Sequence, residues 1–374
     1  FAGNLLTLFL CYEILTVSTY PLVAHKGDRA TIRSARVYLG ILMGTSIAFL
    51  LLAMVWTWLA AGTTDFSPGG ILAGKVEGPQ LMILLALYAF GTGKAALMPF
   101  HRWLPAAMVA PTPVSALLHA VAVVKAGVFT VLKLAVYIFG LDYLAAIPLT
   151  QWLMYVAAAT LLLASLIALR QDNLKLRLAY STIGQLSYIV LGALLATPTG
   201  VLGGGLHMVM HAFGKITLFF CAGAILVASG KTRVSEMRGL GRRMPFTMAA
   251  FLVASLSIIG MPPLGGFWSK WFLGLATLDA DQLAMLGAIL AGSLLSVAYL
   301  LPIPLRAFFA SGEGQPQAGP LQEAPLACVA SRVSSRSLYL PVPTSKRERY
   351  STPAMVSVSP SGAAGDCMTV DMDC

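Results

Sequence analysis

The stretch VLGGGLHMVMHAFGKITLFFCAGAILVAS, residues 201–229, decides how this chain is read. It is long and apolar enough to cross a bilayer as one helix, since about 20 helical residues span the hydrocarbon layer. A helix also satisfies its own backbone hydrogen bonds, which lipid cannot do for it. Strands of a transmembrane barrel alternate polar and apolar residues over about ten positions, and this run does not alternate. Its single charged residue, Lys215, stands at its centre, and His207 and His211 precede it. Positions i, i+4 and i+8 fall on one stripe of a helix. An otherwise apolar span therefore carries one ionisable edge.

Eight further stretches of the same kind surround it: 1–22, 38–62, 79–98, 113–139, 144–169, 178–197, 246–277 and 283–305. The 374-residue chain is 57% hydrophobic and 11% charged, against about 25% charged in soluble domains. That composition excludes a soluble globular enzyme, a disordered chain and a collagen-like fibre. It predicts an all-α, polytopic transmembrane helix bundle of about nine spans over 1–309. After Phe309 the sequence turns to Ser, Pro and Gly and holds three of the five cysteines. Residues 310–374 read as a disordered polar tail or an aberrant end, without assigned function. The chain begins at Phe1, inside an apolar run, and reads as an N-terminally truncated fragment.

The connections between spans alternate in sign. Residues 23–37, 99–112, 170–177 and 230–245 carry net charges of +3, +1, +2 and +4. Those at 63–78, 140–143, 198–200 and 278–282 carry −1, −1, 0 and −2. Nine consecutive crossings under the positive-inside rule require this pattern, with Phe1 at the outer face and Arg306 at the cytoplasmic face. The net charge of +10 is thus topological, and no nucleic-acid partner is expected.

Ionisable groups inside the spans are the informative residues. Lys125 and Lys215 lie at the middle of their spans, Glu13 lies within the first, and Lys94 and Lys270 are interior to the third and eighth. Each central charge costs about 2.5–3.5 kcal/mol on insertion. Five of them approach the whole stability of an ordinary domain, about 5–15 kcal/mol. They must pair, face interior water or lose charge. A desolvated lysine exchanges its proton more readily, and Glu13, the one carboxylate near a span centre, is the candidate switch partner.

His119, six residues before Lys125, joins His207 and His211 as a candidate relay, because an imidazole titrates near neutral pH. Helix-to-helix hydrogen bonding is the structural alternative for each histidine. Met208 stands where a zincin needs glutamate, which argues against a metalloprotease. Haem ligation from two spans would use His119 and His211, without a haem-protein pattern around them. The five cysteines form no CxxC, and neither a metal site nor any cofactor is expected.

Two spans look interrupted. Lys94 is followed by Met98-Pro99-Phe100-His101-Arg102-Trp103-Leu104-Pro105, and Lys270 is preceded by Gly260-Met261-Pro262-Pro263-Leu264-Gly265-Gly266. Proline removes a donor and clashes with the preceding turn. Pro99, Pro105, Pro262 and Pro263 are therefore the expected helix breaks. Paired interruptions in opposite-running segments point to a transport path between inverted repeats, with plain proline kinks as the alternative.

Gly93–Met108, followed by Ala110–Ala120, closely resembles the signature of antiporter-like proton-channel subunits. That family serves respiratory complex I (NADH:quinone oxidoreductase), Mrp-type sodium/proton antiporters and membrane-bound hydrogenases. Leu178–Gln185, His207–Lys215 and Pro262–Lys270 extend the resemblance across about 1–308. It implies a 14-helix subunit of two inverted five-helix repeats, of which this chain resembles helices five to thirteen. Glu13 matches the family's glutamate and Lys94 the lysine it pairs with. Lys125 and His119 match groups one helix later. His207, His211 and Lys215 match the central connecting group, and Lys270 the terminal lysine. Lysine at that last position resembles the Mrp D-type or the distal complex I subunits, and Tyr20–Lys26 resembles the Mrp and hydrogenase side, so the Mrp D-like members are the nearest resemblance.

The expected function is proton conduction through Glu13, Lys94, His119, Lys125, His207, His211, Lys215 and Lys270. The host would be an Mrp-type cation/proton antiporter, or alternatively a quinone oxidoreductase or hydrogenase complex. Partners would be other membrane subunits, protons, sodium ions and the lipid of a prokaryotic plasma membrane. Any enzymatic label would belong to the complex. A non-transporting scaffold subunit is the second alternative, and a haem- or quinone-binding electron carrier the third.

Overall fold

Side-chain caps start several helices. Asn4, Asp28, Asn173 and Thr197 accept the backbone amides of Thr7, Thr31, Leu176 and Gly200, donors that a helix leaves orphaned in its first turn. The computed structural model describes residues 2–147, 151–310 and 323. Ten long helices follow in order. They are α1 (Leu5–Val23), α2 (Arg29–Ala61), α3 (Pro79–Gly91), α4 (Thr112–Phe139) and α5 (Trp152–Arg170). Then come α6 (Leu174–Leu194), α7 (Pro198–Ser229), α8 (Pro245–Ile259), α9 (Gly265–Asp279) and α10 (Leu283–Phe309). No strand occurs among the described residues, only two isolated bridges, Asn4 to Asp65 and Asn173 to Arg233.

The helices α1, α2, α4, α5, α7 and α10 are each long and apolar enough to cross a membrane, and α3 and α8 are shorter apolar helices. The bundle exposes apolar side chains outside and carries ionisable groups within its largely apolar core. Leu6, Leu10, Ile14 and Val17 form one exposed apolar stripe along α1, and Phe213, Leu290 and Leu294 are exposed on α7 and α10. Water would penalise such a surface, whereas lipid does not. Lys94, Lys215, His119, His207 and His211 are buried instead. The protein is a multi-pass membrane protein.

At the centre α7 packs against α6, α8, α9 and α4. Small residues allow the approach. A Cβ on Gly203 would lie 2.9 Å from the Leu273 backbone nitrogen, and one on Gly214 would lie 2.7 Å from Ile258 Cδ1. Close packing through small residues is how helices associate in lipid. Helix α6, against α5 on its other side, is buried without interruption from Ser181 to Ala193.

Two helix ends differ from the sequence expectation. The second helix starts at Arg29, capped by Asp28, nine residues before the expected 38. Arg29, Arg33 and Arg36 are helical, because arginine is a good helix former and the cap precedes it. The third helix ends at Gly91 instead of running to 98. The 246–277 stretch is two helices, α8 and α9, parted at Gly260–Leu264, with Pro262 and Pro263 in the gap. Most of the tail 310–374 lies outside the described residues. Its Glu323 carboxylate accepts the Phe246 amide at 2.8 Å and the Thr247 hydroxyl at 2.6 Å, where acid complements a helix N-terminus.

Candidate functional site

Both expected interruptions are present and place a lysine beside irregular backbone. After α3 the chain makes one tight turn, Gly93–Ala95, and Ala96 takes a left-handed conformation with φ of 57°. The Met98–Pro99 and Pro262–Pro263 peptides are cis. Pro105 is not a break: it lies within the short helix Trp103–Ala106, whose first-turn amides would be unbonded anyway.

Lys94 is fully buried. Its Nζ donates to the Tyr12 carbonyl of α1 and lies 3.2 Å from the Tyr12 ring centre, while its amide donates to the Tyr12 hydroxyl at 3.0 Å. Glu13 is the next residue along α1. It does not form a closed ion pair with Lys94. Both Glu13 carboxylate oxygens are buried without a hydrogen-bond partner among the described residues. The carbonyl of Tyr12, not the Glu13 carboxylate, holds the amine.

Helix α4 widens to a π-helical turn at Leu117–Val121, which carries His119. Such turns interrupt the regular ladder and recur at functional sites. His119 packs against the Phe219 ring at 5.2 Å, and neither ring nitrogen has a hydrogen-bond partner among the described residues. One turn further, Lys125 Nζ hydrogen-bonds His211 Nδ1 of α7. The His211 ring stacks on His207 at 6.2 Å.

His207 sits between two neutral side chains. Its Nδ1 is 2.9 Å from Ser269 Oγ of α9, and its Nε2 is 3.0 Å from Gln185 Oε1 of α6. Beyond it, Lys270 Nζ donates to the Ile259 carbonyl at 2.9 Å and to Ser293 Oγ at 3.1 Å. Ile259 ends α8, so the lysine occupies one of the carbonyls that a helix terminus leaves unbonded. The ammonium position also suits the negative end of the helix dipole.

Lys215 joins the group by a branch. Its Nζ donates to Ser181 Oγ at 2.7 Å and to the Leu178 carbonyl at 3.1 Å. Ser181 meets the Tyr299 hydroxyl at 3.0 Å, and Tyr299 meets Ser296 Oγ at 3.0 Å. Gln185 Nε2, 3.4 Å from Ser296, returns the chain to His207.

The structure thus gathers Lys125, His211, His207 and Lys215 into one connected network and brings Lys270 to its edge. Lys270 Nζ is 4.8 Å from the Tyr188 ring centre, and that ring is 5.2 Å from His207. Lys94 and Glu13 form a separate group. Their bridge to Lys125 is packing: a Cβ on Gly127 would lie 2.8 Å from Lys94 Cβ and closer still to the adjoining backbone. Among the described residues no hydrogen bond links Lys94 to Lys125. No cluster with metal-ligand composition occurs among them either.

Sequence reasoning missed Tyr12, Ser181, Gln185, Ser269, Ser293 and Tyr299. Neutral polar side chains carry little insertion cost and raise no alarm. The one available signal was their helical register, with Ser181 and Gln185 four residues apart, as are His207 and His211.

Residues 2–296 match the family model described as NADH:quinone oxidoreductase/Mrp antiporter, transmembrane. The chain is 33% identical over 328 residues to NADH-quinone oxidoreductase subunit N of Desulforudis audaxviator, covering 87% of this chain and 64% of that protein. It is 32% identical over 306 residues to hydrogenase-4 component B of Escherichia coli, covering 79% and 45%. The Mrp complex of Dietzia sp. superimposes with a TM-score of 0.74 at 26% identity, covering 84% of this chain and 59% of that one. An archaeal membrane-bound sulfane sulfur reductase gives 0.74 at 30% identity, covering 85% and 65%. The chain therefore spans less than two thirds of the length of each of these proteins.

Proposed function

Because the chain belongs to the NADH:quinone oxidoreductase/Mrp antiporter transmembrane family, we propose that it conducts protons within a multisubunit ion-translocating membrane complex. The observation that carries the reading is the buried file of amines and imidazoles between the two interruptions, Lys94 on one side and Lys270 on the other. Protons pass among Glu13, Lys94, Lys125, His211, His207 and Lys270, with His119 beside Lys125 and Lys215 on a side branch.

Hydrogen-bond counting supports exchange. An ammonium has three N–H donors and an amine two. Lys215 and Lys270 each have two acceptors within reach. The site thus accommodates the amine fully and leaves the ammonium one donor to place, which suits a group that passes its proton on. Glu13 supplies a movable countercharge. When its carboxylate swings toward Lys94 the ammonium is held, and when it leaves, the proton is released.

The driving process belongs to the partners. The Mrp and quinone oxidoreductase relatives supply two settings, cation exchange and redox chemistry, with hydrogenase-type complexes as a third. Other membrane subunits of the same complex would supply it, in a prokaryotic plasma membrane.

The test is Lys94→Met and Lys270→Met, each in the assembled complex in sealed vesicles. Proton transport is expected to vanish with assembly retained. Transport at the unmodified rate in both variants would overturn the reading and favour a non-transporting scaffold.

A further inference from the structure

We propose that Ser269 is a positioning residue through which the charge on His207 acts on the broken segment that carries Lys270, with Gln185 fixing which ring nitrogen takes the proton. The inference rests on the proton-conducting reading above.

The hydrogens can be assigned one at a time. Ser296 has one hydroxyl hydrogen, and its Oγ lies 2.9 Å from the Gly292 carbonyl one turn back in α10. A carbonyl only accepts, so Ser296 spends its hydrogen there and accepts from the Tyr299 hydroxyl, 3.0 Å away. Toward Gln185 it can then only accept, which turns the amide nitrogen of Gln185 to Ser296 and the amide oxygen to His207. That oxygen in turn accepts, so Nε2 of His207 carries a hydrogen whether the ring is neutral or charged. The partner of one ring nitrogen sets the role of the other, and Nδ1 is left as the exchanging atom.

Nδ1 faces Ser269, whose Oγ is 2.9 Å from the ring and 2.9 Å from the Gly266 carbonyl. Serine has one hydrogen for these two acceptors. With the ring neutral, Ser269 donates to Nδ1 and leaves Gly266 without that bond. When a neighbouring ammonium gives up a proton to Nδ1, its N–H bond breaks as the ring N–H forms, that ring N–H donates to Ser269 Oγ, and the serine hydrogen rotates to the Gly266 carbonyl. The proton leaves when this ring N–H bond breaks and an N–H bond forms on a neighbouring amine, and the serine hydrogen then turns back to Nδ1.

Gly266 stands where this rotation matters. It lies in the first turn of α9, just past the interruption. A Cβ on Gly260, the residue that ends α8 with φ of 93°, would lie 3.6 Å from the Gly266 carbonyl oxygen and 2.9 Å from Lys270 Cδ. The carbonyl that gains or loses the serine hydrogen thus borders the stem of Lys270, whose Nζ holds the last carbonyl of α8.

The groups facing His207 are Lys270 from α9, Lys125 from α4, Tyr188 from α6 and His211 from its own helix, with the Tyr299 hydroxyl of α10 reached through Gln185 and Ser296. Helix α8 contributes no titratable residue.

The experiment compares Ser269→Ala, Ser269→Thr and Lys270→Met in the assembled complex, reading proton transport in sealed vesicles across pH. Ser269→Ala is expected to slow transport about tenfold, the rate equivalent of one lost hydrogen bond. It should also displace the pH of half-maximal transport, while Ser269→Thr, which keeps the hydroxyl, stays within about twofold. A wild-type rate and pH profile in Ser269→Ala, with Lys270→Met inactive, would overturn this role and leave proton conduction standing. Equal impairment of the Ala and Thr variants, with the pH profile unmoved, would also overturn it, as a packing effect. Full transport by Lys270→Met would overturn both.

Discussion

Lys125 on α4 and His211 on α7 share a side-chain hydrogen bond, Nζ to Nδ1, across 86 residues of sequence. It is the direct contact between the helix beside the first interruption and the histidine edge of the central helix. Lys125 is spaced from Lys94 by the backbone packing at Gly127, and His211 leads by ring stacking to His207. The contact therefore joins what the two interrupted segments hold apart.

Lys125→Met and His211→Phe should each lower proton flux, by about tenfold or more if the pair acts as one step. The double variant should then be no slower than the worse single variant. Rates in the assembled complex test this, and losses that multiply would show that the two act independently.

Gly127 is required by Lys94. A valine there would force its side chain into the Lys94–Ala95 backbone, and overpacking of this kind costs about 1–3 kcal/mol. Gly127→Val should lower the thermal midpoint of the purified protein and displace Lys94. Gly44→Ala is the control: nothing lies within 4 Å of its added methyl, and an alanine in a helix gains up to about 1 kcal/mol.

Asp172 fastens the α5–α6 connection to the segment after α7. Its carboxylate accepts the Ser235 amide at 2.9 Å and hydroxyl at 2.8 Å. Partial desolvation pushes this carboxyl up, but the two Ser235 bonds, aided by Arg233 and Arg177, outweigh it and hold it below its ordinary 3.8. A lowered folded value means that its stabilisation is complete above the ordinary value and fades as pH falls through the lowered one. The site is largely solvated, so Asp172→Asn should cost less than about 1 kcal/mol at neutral pH. Thermal stability of the variant should fall less steeply with acid than that of the unmodified protein.

Much of the architecture was readable because lipid imposes one rule, that backbone donors and acceptors pair within each span. The Val201–Ser229 run, the two interruptions and the buried lysines all announce themselves through cost. Helix ends were less legible. The expected start at 38 treated Arg29, Arg33 and Arg36 as loop, whereas the Asp28 cap decides where α2 begins. The site was legible in its charged members only. That Lys94 would lie on the Tyr12 carbonyl, with Glu13 unbonded beside it, depends on how α1 turns against the first interruption. Ser269 and Gln185 likewise acquire meaning through the helix each one faces.

Buried amines that carry protons must change protonation during transport. Infrared difference spectra of the assembled complex, with lysine Nζ isotopically labelled and the driving reaction switched on, read this directly. The predicted result is a set of isotope-sensitive amine bands that diminish in Lys94→Met, Lys125→Met, Lys215→Met and Lys270→Met. Undiminished proton transport with no isotope-sensitive change at those positions would contradict it.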